Sequence, residues 1–265
     1  MAPSNHTNNY TLGRGEVWFS RFTDSINYTP EGFAYIGNTP EVNLTIESET
    51  LDHYSSDAGI REKDDSVPLE VNRTGSLTTD NVDPENVALF FFGSASVETT
   101  AGATGETDAL TSIKLNHAYM VGATTSNPAG VFGLDSGGTN TVEINGGATL
   151  VLGTDYELDY DNGMITFLSG GTVAEDDDID ITYDLAANTR SRVISGSEPV
   201  EGAMIYRTVN PKGEDCTFYM PYVKISPNGD YALKGDEWQQ IPMSLEVLKL
   251  SNLEAIYRDG DPVYS

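Results

Sequence analysis

Residues 41–47 read Glu-Val-Asn-Leu-Thr-Ile-Glu, so polar and apolar side chains alternate at every position. Successive side chains of a β-strand point to opposite faces, and this stretch therefore predicts a strand with one buried face and one wet face. Residues 67–72 and 241–247 repeat the alternation, and residues 16–22 are rich in aromatic and β-branched side chains. Four strands of this kind favour an antiparallel sheet with one face packed on a core and the other in water.

A long connection joins two of these strands. Residues 49–65 are too many for a tight hairpin. The segment mixes apolar and aromatic side chains with charges of both signs, which fits a mobile surface loop or an arm that contacts another subunit. In the second interpretation the contact residues are Leu51, His53, Tyr54, Asp57, Ile60, Arg61, Lys63 and Asp64.

One short helix is predicted just after the second of these strands. Asp83 suits the N-cap and Pro84 the first helical position, and residues 87–92 supply an apolar body. Gly93 fits a left-handed stop at the C-terminus. So short a helix is not stable alone, and we expect its aromatic side chains to dock on the sheet. The predicted fold class is all-β with one short α-helix.

The charge of the chain excludes several functions. Its 265 residues include 41 acidic and 14 basic side chains, for a formal net charge of −27. Tight binding to nucleic acid depends on Lys and Arg at phosphates, and anionic membrane surfaces would repel this chain. We therefore expect no membrane binding. No signal peptide is predicted from the opening residues, and the single cysteine, Cys216, cannot form an internal disulfide.

The composition changes in the middle of the chain. Residues 104–187 are rich in Gly, Thr and Asp and contain 14 acids against one base, Lys114. Short strands and turn signals follow one another closely there, as in a small β-sandwich. We interpret 104–187 as an accessory domain inserted in a larger β domain, whose two parts are 1–103 and 188–265. Such insertions are tolerated in surface loops.

No pattern of catalytic or metal-binding residues stands out. Residues 176–180 carry four aspartates without the spacing of an EF-hand, and a solvated acidic turn is favoured over a calcium site. The three histidines, His6, His53 and His117, are scattered, and no nucleotide-binding or nucleophile-elbow motif is present. We predict no enzyme activity, no catalytic residue, no metal and no cofactor.

Two regions, about 10–100 and 190–262, hold segments that belong together in a known family. In the first region they are Gly13-Arg14-Gly15-Glu16-Val17-Trp18-Phe19, Gly37-Asn38-Thr39-Pro40-Glu41, residues 49–65, Thr79-Asp80-Asn81 and Phe90-Phe91-Phe92-Gly93. In the second they are Asn210-Pro211-Lys212-Gly213, Pro221-Tyr222-Val223 and Gly229-Asp230-Tyr231-Ala232-Leu233-Lys234-Gly235-Asp236-Glu237-Trp238.

With these segments the chain resembles the major tail tube protein of long-tailed, sheathless bacteriophages. The resemblance implies a structural protein of the virion and no catalytic residues. It implies a β-sandwich with a flanking helix, six copies of which form a ring with a 24-stranded barrel around a channel. Rings stack into a tail tube, assembled in the host cytoplasm around a tape-measure protein and bounded by tail terminator and tail-tip proteins.

The resemblance also assigns roles to the two features described first. Residues 49–65 would cross to a neighbouring ring. Double-stranded DNA would pass the channel without specific binding, because an acidic wall repels phosphates. The wet sides of the alternating strands would line that channel, with Glu41, Asn43, Thr45, Glu47, Glu70, Asn72, Ser244 and Glu246 on its surface.

Two other classes of protein remain open at this point. A two-domain surface adhesin or carbohydrate-binding module would explain the acidity and the richness in Gly, Thr and aromatic residues, but it predicts a secretion signal. A glycan hydrolase needs two carboxylates at a fixed spacing in a cleft, which a sequence with 41 acids cannot discriminate. The inserted domain could bind a host-surface glycan, decorate the virion or stabilise the tube wall.

Overall fold

A computed structural model describes residues 10–56 and 59–262. The described chain divides into two compact units. Unit 1 comprises the residues up to Ser96 and those from Arg192 onward, and unit 2 spans Val97–Ser191. The predicted insertion, 104–187, is shorter than unit 2 at both ends.

The described residues form seventeen strands and one α-helix, which confirms the predicted all-β class. The helix α1 is Pro84–Phe90. In chain order the strands are β1 Gly15–Asp24, β2 Thr29–Pro30, β3 Ala34–Tyr35, β4 Glu41–Ser55, β5 Glu62–Thr79, β6 Ser94–Thr100, β7 Ala103–Leu110, β8 Ala118–Met120, β9 Thr141–Ile144, β10 Tyr156–Asp159, β11 Met164–Phe167, β12 Ile179–Leu185, β13 Asn188–Ile194, β14 Val200–Thr208, β15 Cys216–Pro227, β16 Ile241–Val247 and β17 Tyr257–Gly260.

Unit 1 is built on one antiparallel sheet in the order β2-β1-β14-β15-β16-β5-β4, with β3 added to β1 and β17 to β15. Val42 of β4 and Met204 of β14 line the same cavity of about 140 Å³, although four steps along the sheet separate the two strands. Those strands would lie roughly 19 Å apart in a flat sheet. The sheet therefore curls strongly, but the pairing of the described strands does not close it into a barrel.

The core of unit 1 lies on the inner face of this curl. In β16, Ile241, Met243 and Leu245 are buried while Glu246 is exposed, as the alternation of the sequence predicts. Leu77 of β5, fully buried, belongs to the same cluster. The period-2 pattern thus separates an apolar core face from a polar face on the same strands.

The helix begins as predicted. Asp83 is the N-cap, and its Oδ1 accepts a hydrogen bond of 2.8 Å from the backbone N–H of Asn86. Pro84 occupies the first turn, where its missing N–H has no helical acceptor. Ala88 and Leu89 are buried, and α1 packs against β15 and β16.

The end of the helix differs from the prediction. The helix stops at Phe90, and Phe92, not Gly93, adopts the left-handed conformation, with φ of 55°. Gly93 donates to the carbonyl of Ala88 at 2.7 Å, and Phe92 donates to that of Leu89 at 3.3 Å, which is the Schellman pattern. Gly93 is required for space, since a Cβ there would lie 1.9 Å from the carbonyl oxygen of Ile194.

Unit 2 contains two three-stranded antiparallel sheets, β10-β11-β8 and β7-β12-β9. Both sheets contribute to one hydrophobic cluster: Ile165 and Phe167 come from β11, and Ile179 and Ile181 from β12. Strands β6 and β13, which contain the boundaries between the units, pair with each other. Over the described chain, no helical segment has the length and hydropathy of a membrane span.

Two acidic side chains hold the loops of unit 2 together. The carboxylate of Asp155 accepts backbone N–H bonds from Thr172 and, at 2.7 Å, from Val151. Asp184 accepts from Thr139 at 2.7 Å and Gly105 at 2.8 Å. These donors favour the ionised form, so they lower the pKa of both carboxyl groups.

We expect Asn86→Leu to destabilise unit 1 by about 2 kcal/mol, because two backbone carbonyls would lose the side-chain amide that donates to them. Asn86 is 3% exposed, and its Nδ2 donates to the carbonyls of Ile36 at 2.7 Å and Asn81 at 2.8 Å. Chemical denaturation would measure the loss. The exposed Asn228→Ala serves as control, and equal midpoints for the two variants would contradict this role.

We expect Asp155→Asn to lower the melting temperature of unit 2 at pH 7. The folded pKa of Asp155 lies below its unfolded value of about 3.9, so its contribution is present above that value and disappears as pH falls through the folded pKa. The difference from wild type should therefore shrink below about pH 4. Scanning calorimetry across pH would measure it, with exposed Glu157→Gln as control. A pH-independent difference would contradict the explanation.

Candidate functional site

The pairing register places all eight predicted channel-lining residues on one face of the unit 1 sheet, termed here the polar face. Asn43 lies opposite Ser76, which in turn lies opposite Ser244. Thr45 and Glu246 are linked in the same way through Thr74. Ser244 is half-buried and the other seven are exposed: Glu41, Asn43, Thr45, Glu47, Glu70, Asn72 and Glu246.

Side-chain hydrogen bonds run along this face, both within β4 and across to β5. The Nδ2 of Asn43 donates to Glu41 Oε1 at 2.6 Å and to Ser76 Oγ at 3.3 Å. Glu49, which the sequence reasoning did not include, lies directly opposite Glu70. Like charges placed in this way repel each other.

The polar face also contains a lysine that the sequence reasoning missed. Lys224 of β15 lies opposite Glu246 on one side and opposite Glu201 of β14 on the other. Its Nζ is 3.1 Å from Glu201 Oε1, and the phenol of Tyr222 donates to the same oxygen at 2.8 Å. The alternation of Tyr222, Lys224 and Ser226 with buried Val223 and Ile225 is the signal that could have revealed it.

These contacts compensate the positive charge of Lys224. The hydrogen bond to Glu201 raises the pKa of Lys224 and keeps it charged, while burial and then the bond to Glu201 raise the pKa of Tyr222 to about 12. Because Glu201 shares its charge with Lys224, the carboxylates of the neighbouring strands remain uncompensated. The polar face is therefore anionic.

Residues 49–55 and 62–65 are strand, so the interpretation of this segment as a surface loop is wrong, while its role as a contact arm stays a prediction. Strands β4 and β5 continue as a two-stranded hairpin until Ser55 pairs with Glu62. Polar and charged side chains meet across the two strands: Lys63 Nζ is 2.6 Å from Asp52 Oδ1, and His53 Nδ1 is within hydrogen-bond distance of Asp64 Oδ1, at 2.6 Å. The charged side chains that made this segment look like a surface loop pair across the two strands instead.

Two irregularities shape the hairpin. Glu49 pairs with Glu70 and Thr50 with Pro68, so Leu69 is an extra residue in β5. A second shift lies between the pairs made by His53 and Tyr54. Each such bulge moves the following residues of β5 to the opposite face and increases the local twist.

The hairpin exposes apolar side chains on a scale unusual for a surface strand. Leu51 is 62% exposed and its cross-strand neighbour Val67 52%, while Ile60 near the tip is 73% exposed. Ile46, 59% exposed, lies on the opposite side of β4 from Leu51. Contiguous exposed apolar surface of this kind marks an interaction site.

The predicted contact residues lie on this hairpin with one exception. Arg61 covers the ring of Tyr54 with its guanidinium carbon 4.8 Å from the ring centroid, and Lys63 and Asp64 make the contacts described above. Asp57 lies outside the described residues.

The hairpin stands at a free edge of the sheet. Strand β4 is the last strand in the described pairing order, and its 15 residues, Glu41–Ser55, pair on one side with β5. An edge of this length presents a row of backbone donors and acceptors that can pair with another chain.

The acidic turn of unit 2 is organised by hydrogen bonds. Asp177 Oδ2 accepts from the Ala174 N–H at 2.8 Å, Asp178 Oδ1 from Ser112 at 2.9 Å, and Lys114 Nζ lies 2.7 Å from Asp176 Oδ1. Across residues 10–56 and 59–262, no group of three or more His, Cys, Asp or Glu side chains has the arrangement of a metal site.

Comparison with known proteins gives a family without an assigned activity. No curated protein matches the sequence. A family model described as "Protein of unknown function UCP028589" matches residues 10–254, which include unit 2, most of unit 1 and the whole polar face. The chain therefore belongs to the UCP028589 family of proteins of unknown function.

Proposed function

We propose that this protein is a structural virion protein that self-assembles as stacked hexameric rings into the tail tube of a long-tailed, sheathless phage. One observation carries the proposal: a curled sheet ends in a free edge strand, and that strand continues into a hairpin whose apolar side chains are exposed. A subunit with a free edge and uncovered apolar surface is incomplete on its own, which is the property of an assembly unit.

Four consecutive strands of the sheet would supply the wall of the proposed ring. Strands β15, β16, β5 and β4 share the anionic polar face. If each of six copies contributed these four strands, together they would make up the 24-stranded barrel that the resemblance implies, with the free β4 edge in contact with the next subunit. Strand β15 pairs with β14 on the side away from β16, so this contact is more than the addition of β4 to a free β15 edge. The core face and α1 would then lie outside the barrel wall, and the polar face would line the channel.

The chemistry of the polar face suits the passage of DNA. Glu41, Glu47, Glu70 and Glu246 repeat around such a ring, while Glu201 neutralises Lys224. Duplex DNA binds proteins mainly through cations at its phosphates, and this face offers no uncompensated one. DNA would therefore pass without sticking, after a tape-measure protein has left the same channel.

The hairpin is the proposed contact to neighbouring subunits or rings. Its buried fraction is small, so its exposed apolar pairs gain most by association. Tail terminator and tail-tip proteins would cover the two ends of the tube. Unit 2 is proposed as an accessory domain on the outside of the wall, since six further domains would obstruct the channel.

Removing the outer hairpin should abolish assembly without unfolding the subunit. Thr50–Leu69 would be replaced by Asn-Gly, which closes a two-residue turn between the paired Glu49 and Glu70. The described side chains of this range are almost all exposed, so the core loses little. We expect wild type to form rings or tubes in negative-stain electron microscopy and the deletion variant to remain monomeric.

Circular dichroism and thermal melting would establish that the deletion variant is folded. Tubes formed by this variant would contradict the role of the hairpin. A wild-type protein that stays monomeric at high concentration and binds a glycan would instead favour the adhesin or carbohydrate-binding alternative.

Reversing charges on the polar face should create affinity for DNA. We expect the triple variant Glu41→Lys, Glu47→Lys and Glu246→Lys to bind duplex DNA with a steep salt dependence, because three phosphate-neutralising cations replace three carboxylates. Wild type should show no binding. Fluorescence anisotropy with labelled duplex DNA would measure this, in assembled and unassembled protein.

A matched triple reversal on exposed acids of unit 2, Glu106→Lys, Glu143→Lys and Glu157→Lys, controls for net charge. DNA binding by assembled particles of this control that equals that of the polar-face variant would contradict the proposed channel surface.

A further inference from the structure

A cleft of about 410 Å³ lies in unit 1 between β1, the segment before β4 and the start of α1. Its size falls within the range of binding pockets in proteins. Arg21, Glu31 and Glu85 supply its charges, and Phe19 and Leu89 supply apolar surface.

The arginine of this cleft lacks a hydrogen-bond acceptor. Nη2 of Arg21 is buried and has no partner in the described chain. The negative charges of Glu85 and Glu31 attract the guanidinium of Arg21. Neither carboxylate lies within 4.0 Å of it, so no ion pair forms. A buried donor without an acceptor costs free energy, so an entering acceptor would be favoured.

The carboxylates of the cleft lack a cation in the same way. Neither Glu31 nor Glu85 forms a salt bridge with any described Lys or Arg. Asp83 also lines the cleft and caps the helix. Three carboxylates against one guanidinium repel an anion. The complementary ligand carries a cation for Glu31 and Glu85 and a neutral acceptor for Arg21, and a lysine-bearing peptide segment supplies both.

The chain itself contains such a segment. All six lysines are described; four form salt bridges and Lys212 lies over the ring of Tyr10. Lys234 has no acidic or aromatic partner among the described residues. It lies in the loop between β15 and β16, where Leu233 is 74% and Trp238 93% exposed.

This loop is already shaped for contact. Nε2 of Gln239 donates to the carbonyl oxygens of Ala232 at 3.1 Å and Leu233 at 3.2 Å, and so closes the tip. The phenol of Tyr231 donates to Gln239 Oε1 at 3.4 Å, and its ring packs on Phe90. A loop held in one conformation loses less entropy on binding.

We propose that the loop of residues 231–239 in one copy docks into the Arg21 cleft of a second copy. Lys234 would lie between Glu31 and Glu85, a backbone carbonyl of the loop would accept from Arg21, and Leu233 would cover the apolar wall. The inference rests on the proposed self-assembly and identifies a heterologous contact between copies, distinct from the β4 edge and the hairpin. Contacts of this head-to-tail type generate rings.

Charge reversal and mixing test the contact. Lys234→Glu alone, and Glu31→Lys with Glu85→Lys, should each weaken assembly by at least about tenfold in critical concentration, because like charges would meet in the cleft. An equimolar mixture should assemble again. In alternating order, each reversed loop meets a reversed cleft and each native loop a native cleft. Sedimentation velocity and electron microscopy would measure assembly.

Lys114→Glu and Glu157→Lys, both on unit 2, are the matched controls and should assemble as wild type does. Wild-type rings together with unimpaired Lys234→Glu rings would overturn this contact and leave the proposed function standing. A wild-type protein that never associates would overturn both.

A second measurement needs no variant. Equal amounts of ¹⁴N- and ¹⁵N-labelled wild-type protein would be mixed and treated with a carbodiimide, which joins an amine to a contacting carboxylate. Cross-linked peptides that join Lys234 to Glu31 or Glu85 should include the mixed-isotope form. Products of a single isotope alone, or no such product, would overturn the proposal even if the reversed variants misfold.

Discussion

The antiparallel pairing of β4 with β5 is the interaction on which the rest of unit 1 depends. Because β5 also pairs with β16, and β16 with β15, its register decides which side chains of four strands share a face. A shift of one residue would exchange the core and polar faces throughout. The close approach of the two strands at Gly75, where a Cβ would lie 2.4 Å from the carbonyl oxygen of Asn43, ties this register to one backbone arrangement.

The acidity of the chain has different physical roles in different places. In unit 2, Asp155 and Asp184 accept backbone N–H groups and organise loops. On the polar face, carboxylates of neighbouring strands are exposed and uncompensated. In the Arg21 cleft, Glu31 and Glu85 are poised for a cation. A net charge of −27 therefore says little about any one site, because much of it belongs to local structure.

The parts predictable from sequence are those with a short-range cause. The alternation at 41–47 and 241–247 and the cap at Asp83 follow from side-chain periodicity and one local hydrogen bond. The bulge at Leu69 has no such local signal, because the alternation of Val67, Leu69 and Val71 reads as an unbroken strand. Val67 was therefore expected on the apolar side with Val71. The extension of the hairpin depends on pairs between distant residues such as Asp52 and Lys63. The Arg21 cleft joins β1 to the helix and has no local signal.

The bulge at Leu69 has a consequence for how the β4–β5 ribbon can vary. Strand β4 keeps its alternation through Glu47, Glu49 and Leu51, while the partner of Leu51 becomes Val67. The same side of the ribbon is thus acidic before the bulge and apolar beyond it. The β4–β5 ribbon therefore carries an acidic surface and an apolar surface on the same side, separated by a single inserted residue. A change in the outer segment can alter adhesion while the inner segment keeps its charge, so the two surfaces can diverge independently among related chains.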